Sequence, residues 1–323
     1  MENNKYIDNH KKIVSVARLS IYSNTILLLI KLTSGILMGS ISVLSEALHS
    51  GIDLLAAIIA NYSVIKAGQP PDDDHKFGHG KFENLSGTVE AILIFVAAII
   101  ILYESSKKLL EGNKVEFVGI GIIIMGISAI VNIIVSKRIM KVAKEAESIA
   151  LEADAYHLTT DVYTSIGVFI GLVLIQITGN PIFDPIMAII VALIIIKASY
   201  DLTRRSIAGL MDSKLSDKEE EMIKTIISEH PSHIEYHDLR TRMSGAERFV
   251  DLHLVMPKDS NIDDVHKFCD HIEKDIREKI PNLSITIHVE PCDTNCDICK
   301  ANSQLTSIVC SKLDTCKNDI NDT

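Results

Sequence analysis

Between residues 14 and 202 the chain carries one apolar stretch after another, each long enough to cross a bilayer. The hydrocarbon core offers no partner for backbone N–H and C=O groups, so each stretch must satisfy its own as a helix. At roughly 20 residues per crossing, six spans are read, at residues 14–38, 41–66, 82–107, 115–139, 150–178 and 181–202. The connections after the first and fifth, Met38-Gly39-Ser40 and Thr178-Gly179-Asn180, are so short that each of those pairs forms an antiparallel hairpin.

Lys and Arg crowd alternate ends of these spans. Lys5, Lys11, Lys12 and Arg18 precede the first, Lys66, Lys76 and Lys81 lie between the second and third, and Lys137, Arg138, Lys141 and Lys144 follow the fourth. The opposite side has only Lys107, Lys108 and Lys114. The positive-inside rule then places both termini in the cytosol, in the cell membrane. The first twenty residues are polar and do not form a signal peptide. Trp is absent, leaving Tyr22, Tyr62 and Tyr103 to mark the membrane interface. The net charge of −10 argues against nucleic acid as a partner.

Past about residue 210 the sequence becomes ordinary soluble protein. Apolar positions at Met222, Ile223, Ile226 and Ile227 predict a helix. Two alternating segments either side of Ser244-Gly245 predict a strand hairpin. Val265, Phe268, Ile272 and Ile276 form a second helical stripe, and residues 284–291 alternate as a last strand. The order α-β-β-α-β describes a small, metallochaperone-like α+β domain with its helices on one face of a sheet. The domain map is therefore a cytosolic tail (1–13), a six-helix transmembrane domain (14–210), a cytosolic α+β domain (211–291) and a Cys-containing tail (292–323). A domain of about 80 residues has a marginal core, which dimerisation would support.

Ionisable side chains inside membrane helices are costly and mark function. His49 and Asp53 in the second span share a spacing of four with His157 and Asp161 in the fifth. Residues i and i+4 lie on one helix face, so two such helices side by side offer two imidazoles and two carboxylates. That set closes a tetrahedral site suited to zinc, whereas magnesium or calcium would call for oxygen ligands alone. Cadmium, iron(II), cobalt(II) and manganese(II) are alternative ions. Asn24 and Lys31 in the first span are polar but have no such spacing. The loop PPDDDHKFGHGKFE holds Asp72, His75 and His79 at spacings of three and four, which a turn can gather on one ion. His237, His253, His266, His288 and Glu290 fall on adjacent elements of the soluble domain, with His288 and Glu290 on one face of the last strand.

Six spans, the two HxxxD pairs, the acidic His loop and the C-terminal α+β domain together resemble the cation diffusion facilitator family over residues 15–291. The resemblance implies proton-coupled antiport of a divalent metal by a homodimer, with zinc as substrate and regulatory ligand and no organic cofactor. It implies that His49, Asp53, His157 and Asp161 form the transport site, with His49 pointing to zinc. Asp72, His75 and His79 match a peripheral site, and Lys81 with Asp212 matches a charge interlock at the dimer interface. His237, His253, His266 and His288 match ligands of paired zinc ions between cytosolic domains, with Glu290 where Asp is usual in bacterial zinc exporters. The tail departs from the family. Cys292, Cys296 and Cys299, with Cys310 and Cys316 beyond, are expected as reduced cytosolic thiols able to bind zinc or copper(I).

An intramembrane metalloprotease would need an open metal position and a general base, and no HExxH occurs. The chain is therefore read as a transporter and not an enzyme. A metal channel, a membrane metal sensor and metal import are the remaining alternatives from residues alone.

Overall fold

The computed structural model describes residues 2–38, 41–111, 119–180, 182–230, 235–258 and 260–292. The chain forms two compact units, Met1–Met211 with Ser244–Ala246, and Asp212–Met243 with Glu247–Thr323.

The first unit is helical. Its elements are α1 (Glu2–Met38), α2 (Ile41–Ala67), α3 (Lys81–Glu111), α4 (Gly119–Ala146), α5 (Ile149–Thr178) and α6 (Phe183–Leu210). Among the described residues, α1, α2, α3, α5 and α6 are long and apolar enough to cross a membrane. The fourth span was expected from residue 115; residues 115–118 lie outside the described residues, and α4 packs on α1 and α5 within the bundle. The helices overrun the apolar stretches at several ends, because a helix continues past the hydrocarbon core for as long as its backbone stays paired.

The bundle is apolar outside and carries its polar residues within. Leu29, Ile36, Ile130 and Phe169 face outward, as do Tyr22, Tyr62 and Tyr103. Asn24, Lys31, Asp53, Glu90, Asn132, Asp154 and His157 are buried. Ala57, Ala91, Ala98, Ala153 and Ala155 have no exposed surface, and such small side chains let helix backbones approach closely where lipid provides no hydrophobic drive. Ser148 caps the start of α5, accepting from Leu151 N–H. Gly179 closes its end in the left-handed region at φ 71°, donating its N–H to Ile175 O, a conformation glycine adopts without steric cost.

The second unit contains α7 (Asp217–Glu229), β1 (Glu235–Ser244), β2 (Glu247–Met256), α8 (Ile262–Lys279) and β3 (Leu283–Pro291), the expected α-β-β-α-β order. The sheet runs β1-β2-β3, and β2 and β3 are parallel with His253 opposite His288. Val250, Leu252, Leu254 and Met256 alternate along β2 and pack on Ile223, Ile226 and Ile227 of α7 and on Phe268, Ile272 and Ile276 of α8. Each such side chain, fully buried, contributes about 1.5–3 kcal/mol. Met222, expected on the apolar stripe of α7, is instead exposed; the stripe facing the sheet is narrower than the run of apolar residues.

Candidate metal centres

In the bundle, α2 presents His49 and Asp53 and α5 presents His157 and Asp161, and the two helices pack together. His157 Nε2 lies 2.9 Å from Asp53 Oδ1. His49 Nε2 is 3.9 Å from both Asp53 Oδ1 and Asp161 Oδ1. Asp53, His157 and Asp161 bring one ligand atom each within 4.8 Å of one another. All four line a cavity of about 630 Å³ shared with Lys31 and Asn132. Asn132 of α4 donates from Nδ2 to Asp161 Oδ2 at 3.3 Å, and Lys31 donates to Ser50 Oγ at 2.8 Å. Asp53 and His157 are buried, Asp161 is half-buried and His49 is exposed, and two carboxylates with two imidazoles are ligand types that suit a cation.

The loop between α2 and α3 gathers a second set. Asp72 Oδ1 accepts the backbone N–H of His75 at 2.7 Å and of Asp74 at 3.0 Å. His75 Nδ1 lies 3.2 Å from Asp72 Oδ1 and His79 Nε2 lies 3.1 Å from Asp72 Oδ2. The His75 backbone N–H, first among these contacts, holds the Asp72 carboxyl below the usual carboxylate range. His79 is buried at the foot of the loop, while Asp72 and His75 are exposed.

The third set lies on the sheet face turned away from α7 and α8. Glu290 sits among three imidazoles, with Oε1 3.0 Å from His253 Nδ1 and 3.7 Å from His288 Nε2, and Oε2 3.3 Å from His237 Nε2. The His237–His253 and His253–His288 ring centroids are 5.2 Å and 4.8 Å apart. His266 is not in this group. It is exposed on α8, with Nε2 3.7 Å from Asp270 Oδ2, and borders with Glu290 a groove at the α8–β3 edge. Lys81 Nζ donates to Leu210 O at 3.3 Å, and Asp212 pairs with Arg242 at 3.3 Å. Cys292 carries a free thiol, and Cys296, Cys299, Cys310 and Cys316 lie outside the described residues.

Residues 17–211 match the cation efflux transmembrane domain, and residues 215–292 match the cytoplasmic domain of cation efflux proteins. The chain belongs to the cation diffusion facilitator, or cation efflux, family. An uncharacterised transporter of Synechocystis is 33% identical over 82% of this chain and 86% of that protein. The cation-efflux pump FieF of Salmonella newport is 31% identical over 82% of this chain and 88% of its own length. A solved structure of the candidate zinc transporter CzrB is 36% identical, covering 24% of this chain and 99% of that one, with a TM-score of 0.24. Cation efflux proteins are transporters, and this chain is a multi-pass membrane protein with a divalent-cation efflux function.

Within this cation efflux protein several polar groups escaped the spacing argument. Asn24 and Lys31 line the cavity, although no motif singled them out. Asn132 supports Asp161 from α4. Glu90 and Asp154 are buried in the bundle, and Ser20 donates to Asp154 Oδ1 at 2.9 Å. None of them belongs to a pair with ligand spacing, so the available signal was the cost of a polar side chain in lipid.

Proposed function

We propose that this protein exports zinc in exchange for protons, with His49, Asp53, His157 and Asp161 as the transport site. The observation that carries this reading is the convergence of Asp53, His157 and Asp161, with His49 at 3.9 Å, on one cavity inside the helical unit. Two nitrogens and two oxygens suit zinc as substrate. Binding needs neutral imidazole and ionised carboxylate, so zinc entry expels protons, and protons arriving from the far side displace zinc. Imidazole, with an ordinary pKa of about 6.5, exchanges protons in the physiological range. Rocking of α2 and α5 with the bundle would expose the site to each side in turn, and an inward proton gradient would make the net movement export.

The same reading places both termini in the cytosol of the cell membrane, from the Lys and Arg count, and makes the protein a homodimer. The match to the family's cytoplasmic domain and the small core of the second unit support dimerisation. Asp72, His75 and His79 would form a peripheral zinc site, and Lys81 with Asp212 an interlock near the interface. His237, His253, His288 and Glu290, with His266 alongside, would hold regulatory zinc. Such zinc acts only if its affinity differs between the inward and outward states. Cys292, Cys296 and Cys299 would collect metal.

Zinc flux into proteoliposomes under an imposed pH gradient tests the proposal, with Asp161→Ala beside the wild type. The expected result is flux that follows the gradient and is lost in the variant. Wild-type flux in Asp161→Ala would overturn the site, and flux indifferent to the gradient would overturn antiport.

A further inference from the structure

One cluster of ligand-type side chains takes no part in these sites. His230 follows the last turn of α7, and His271 and Asp275 lie one turn apart on α8. One ligand atom from each falls within 4.8 Å of the others. Asp275 Oδ2 lies 3.4 Å from His230 Nε2 and 3.6 Å from His271 Nε2.

These separations are longer than an N–H···O hydrogen bond, which spans about 2.7–3.2 Å. They are close to the edges of a tetrahedron around zinc, whose bonds of about 2.0–2.2 Å to nitrogen and oxygen set ligand atoms roughly 3.3–3.6 Å apart. The tautomer of His230 sharpens the point. Its Nδ1 lies 2.8 Å from Ile226 O. A carbonyl oxygen only accepts, so Nδ1 carries the hydrogen, and in the neutral ring Nε2 is a bare lone pair. That lone pair faces a carboxylate oxygen. Two acceptors so placed repel each other unless a cation lies between them. A proton on Nε2 would draw the pair to the roughly 2.7–2.9 Å of a charge-assisted hydrogen bond, and the observed 3.4 Å leaves more room.

The ring is also held before any ion arrives. Its side chain is 9% exposed and meets Phe268 edge-on at 5.7 Å between centroids. A ligating imidazole whose second nitrogen donates to a backbone carbonyl is the arrangement that fixes a metal ligand. His271 and Asp275 are 41% and 35% exposed, which leaves the ion a route in from solvent.

We infer that His230, His271 and Asp275 form a further site for a zinc-class divalent cation, one that staples the end of α7 to α8. It lies among the helices, on the opposite side of the sheet from His253. Three protein ligands leave the fourth position to water. The inference does not depend on the transport reading, because it is measured by bound metal and not by flux.

The test uses the full-length protein in detergent, stripped with chelator and titrated with Zn2+ at about pH 7.5, where free imidazole is mostly neutral. Zinc per protomer is counted by equilibrium dialysis. His253→Ala with Glu290→Gln, which weakens the sheet-face group, serves as the background. In that background His271→Gln and Asp275→Asn are each expected to remove one zinc per protomer, or to weaken that class of site by about tenfold or more. Unchanged count and affinity in both variants would overturn the inference. If either variant also lowers the apo melting temperature, Asp275→Glu, which keeps a carboxylate ligand, decides. Zinc bound by Asp275→Glu supports the site, and continued loss overturns it.

Discussion

His157 Nε2 lies 2.9 Å from Asp53 Oδ1, joining two helices through residues 104 positions apart in the chain. The contact is buried on both sides and ties α2 to α5 at the cavity. Without a metal a proton joins this pair; under the proposed transport reading both atoms become ligands when zinc binds. Asp53→Ala removes that oxygen. Zinc flux in proteoliposomes is expected to fall by at least the upper end of the roughly 10–100-fold that even an outer-shell partner costs. Flux within a few-fold of wild type would remove Asp53 from the transport site.

Asn132 reaches Asp161 from a helix that carries none of the four ligands. Under the proposed transport reading it orients the carboxylate and leaves the ion to Asp161. Asn132→Leu is expected to weaken zinc affinity by roughly tenfold while Asp161 itself is still present. Zinc titration of the full-length variant reads the affinity, and an unchanged value would mean that Asp161 is oriented by the metal alone.

Glu219 serves two partners at once. It completes the capping box of α7 with Ser216, and its Oε1 accepts from Arg248 Nε at 2.6 Å. Burial pushes its carboxyl up, but the hydrogen bonds from Ser216 and Arg248 outweigh that and hold it below the ordinary carboxylate range. A carboxyl with a lowered pKa in the folded state contributes stability above its unfolded value, about 4.3, and loses it as pH falls through the folded value. Glu219→Gln should therefore reduce hydrogen-exchange protection of α7 amides at neutral pH, and the gap from wild type should close in acid. A gap that is constant with pH would assign the effect to shape rather than charge.

Ile272 has no exposed surface and sits where α8 meets the sheet. Ile272→Ala leaves a cavity that the core cannot fully collapse around, at a cost of about 2–5 kcal/mol. Urea unfolding, followed through the amide protection of β2 and β3, is expected to shift to lower denaturant. An unmoved midpoint would show that the second unit draws its stability from elsewhere.

Repetitive features of the fold were legible in the sequence because they arise locally. Apolar stretches of membrane length can only be helices, so the bundle could be read from hydropathy, although α4 and α6 run beyond the stretches that announced them. Alternation along β2 separated the buried Leu252 and Leu254 from His253 on the other face. The i, i+4 spacing put His49 with Asp53 and His157 with Asp161 on single helix faces. Met222 shows the limit of the same reasoning: it continues an apolar run, yet the width of the buried stripe depends on the sheet it meets.

The remainder belongs to packing. Nothing in spacing says that Asn132 would reach Asp161, that Arg248 would find Glu219, or that His230 and Asp275 would face each other across two helices. Parallel pairing of β2 and β3 sets the register that brings His253 beside His288 and Glu290, and β1 next to β2 adds His237, while His266, on a helix covering the other face, stands apart. The hydrophobic pattern of the chain settles which segments are helices or strands and which faces turn inward, since periodicity and transfer energy act residue by residue. The distances between ligand atoms are set when separate elements pack, since a shift of an ångström between two helices moves every contact across them and leaves the sequence pattern unchanged.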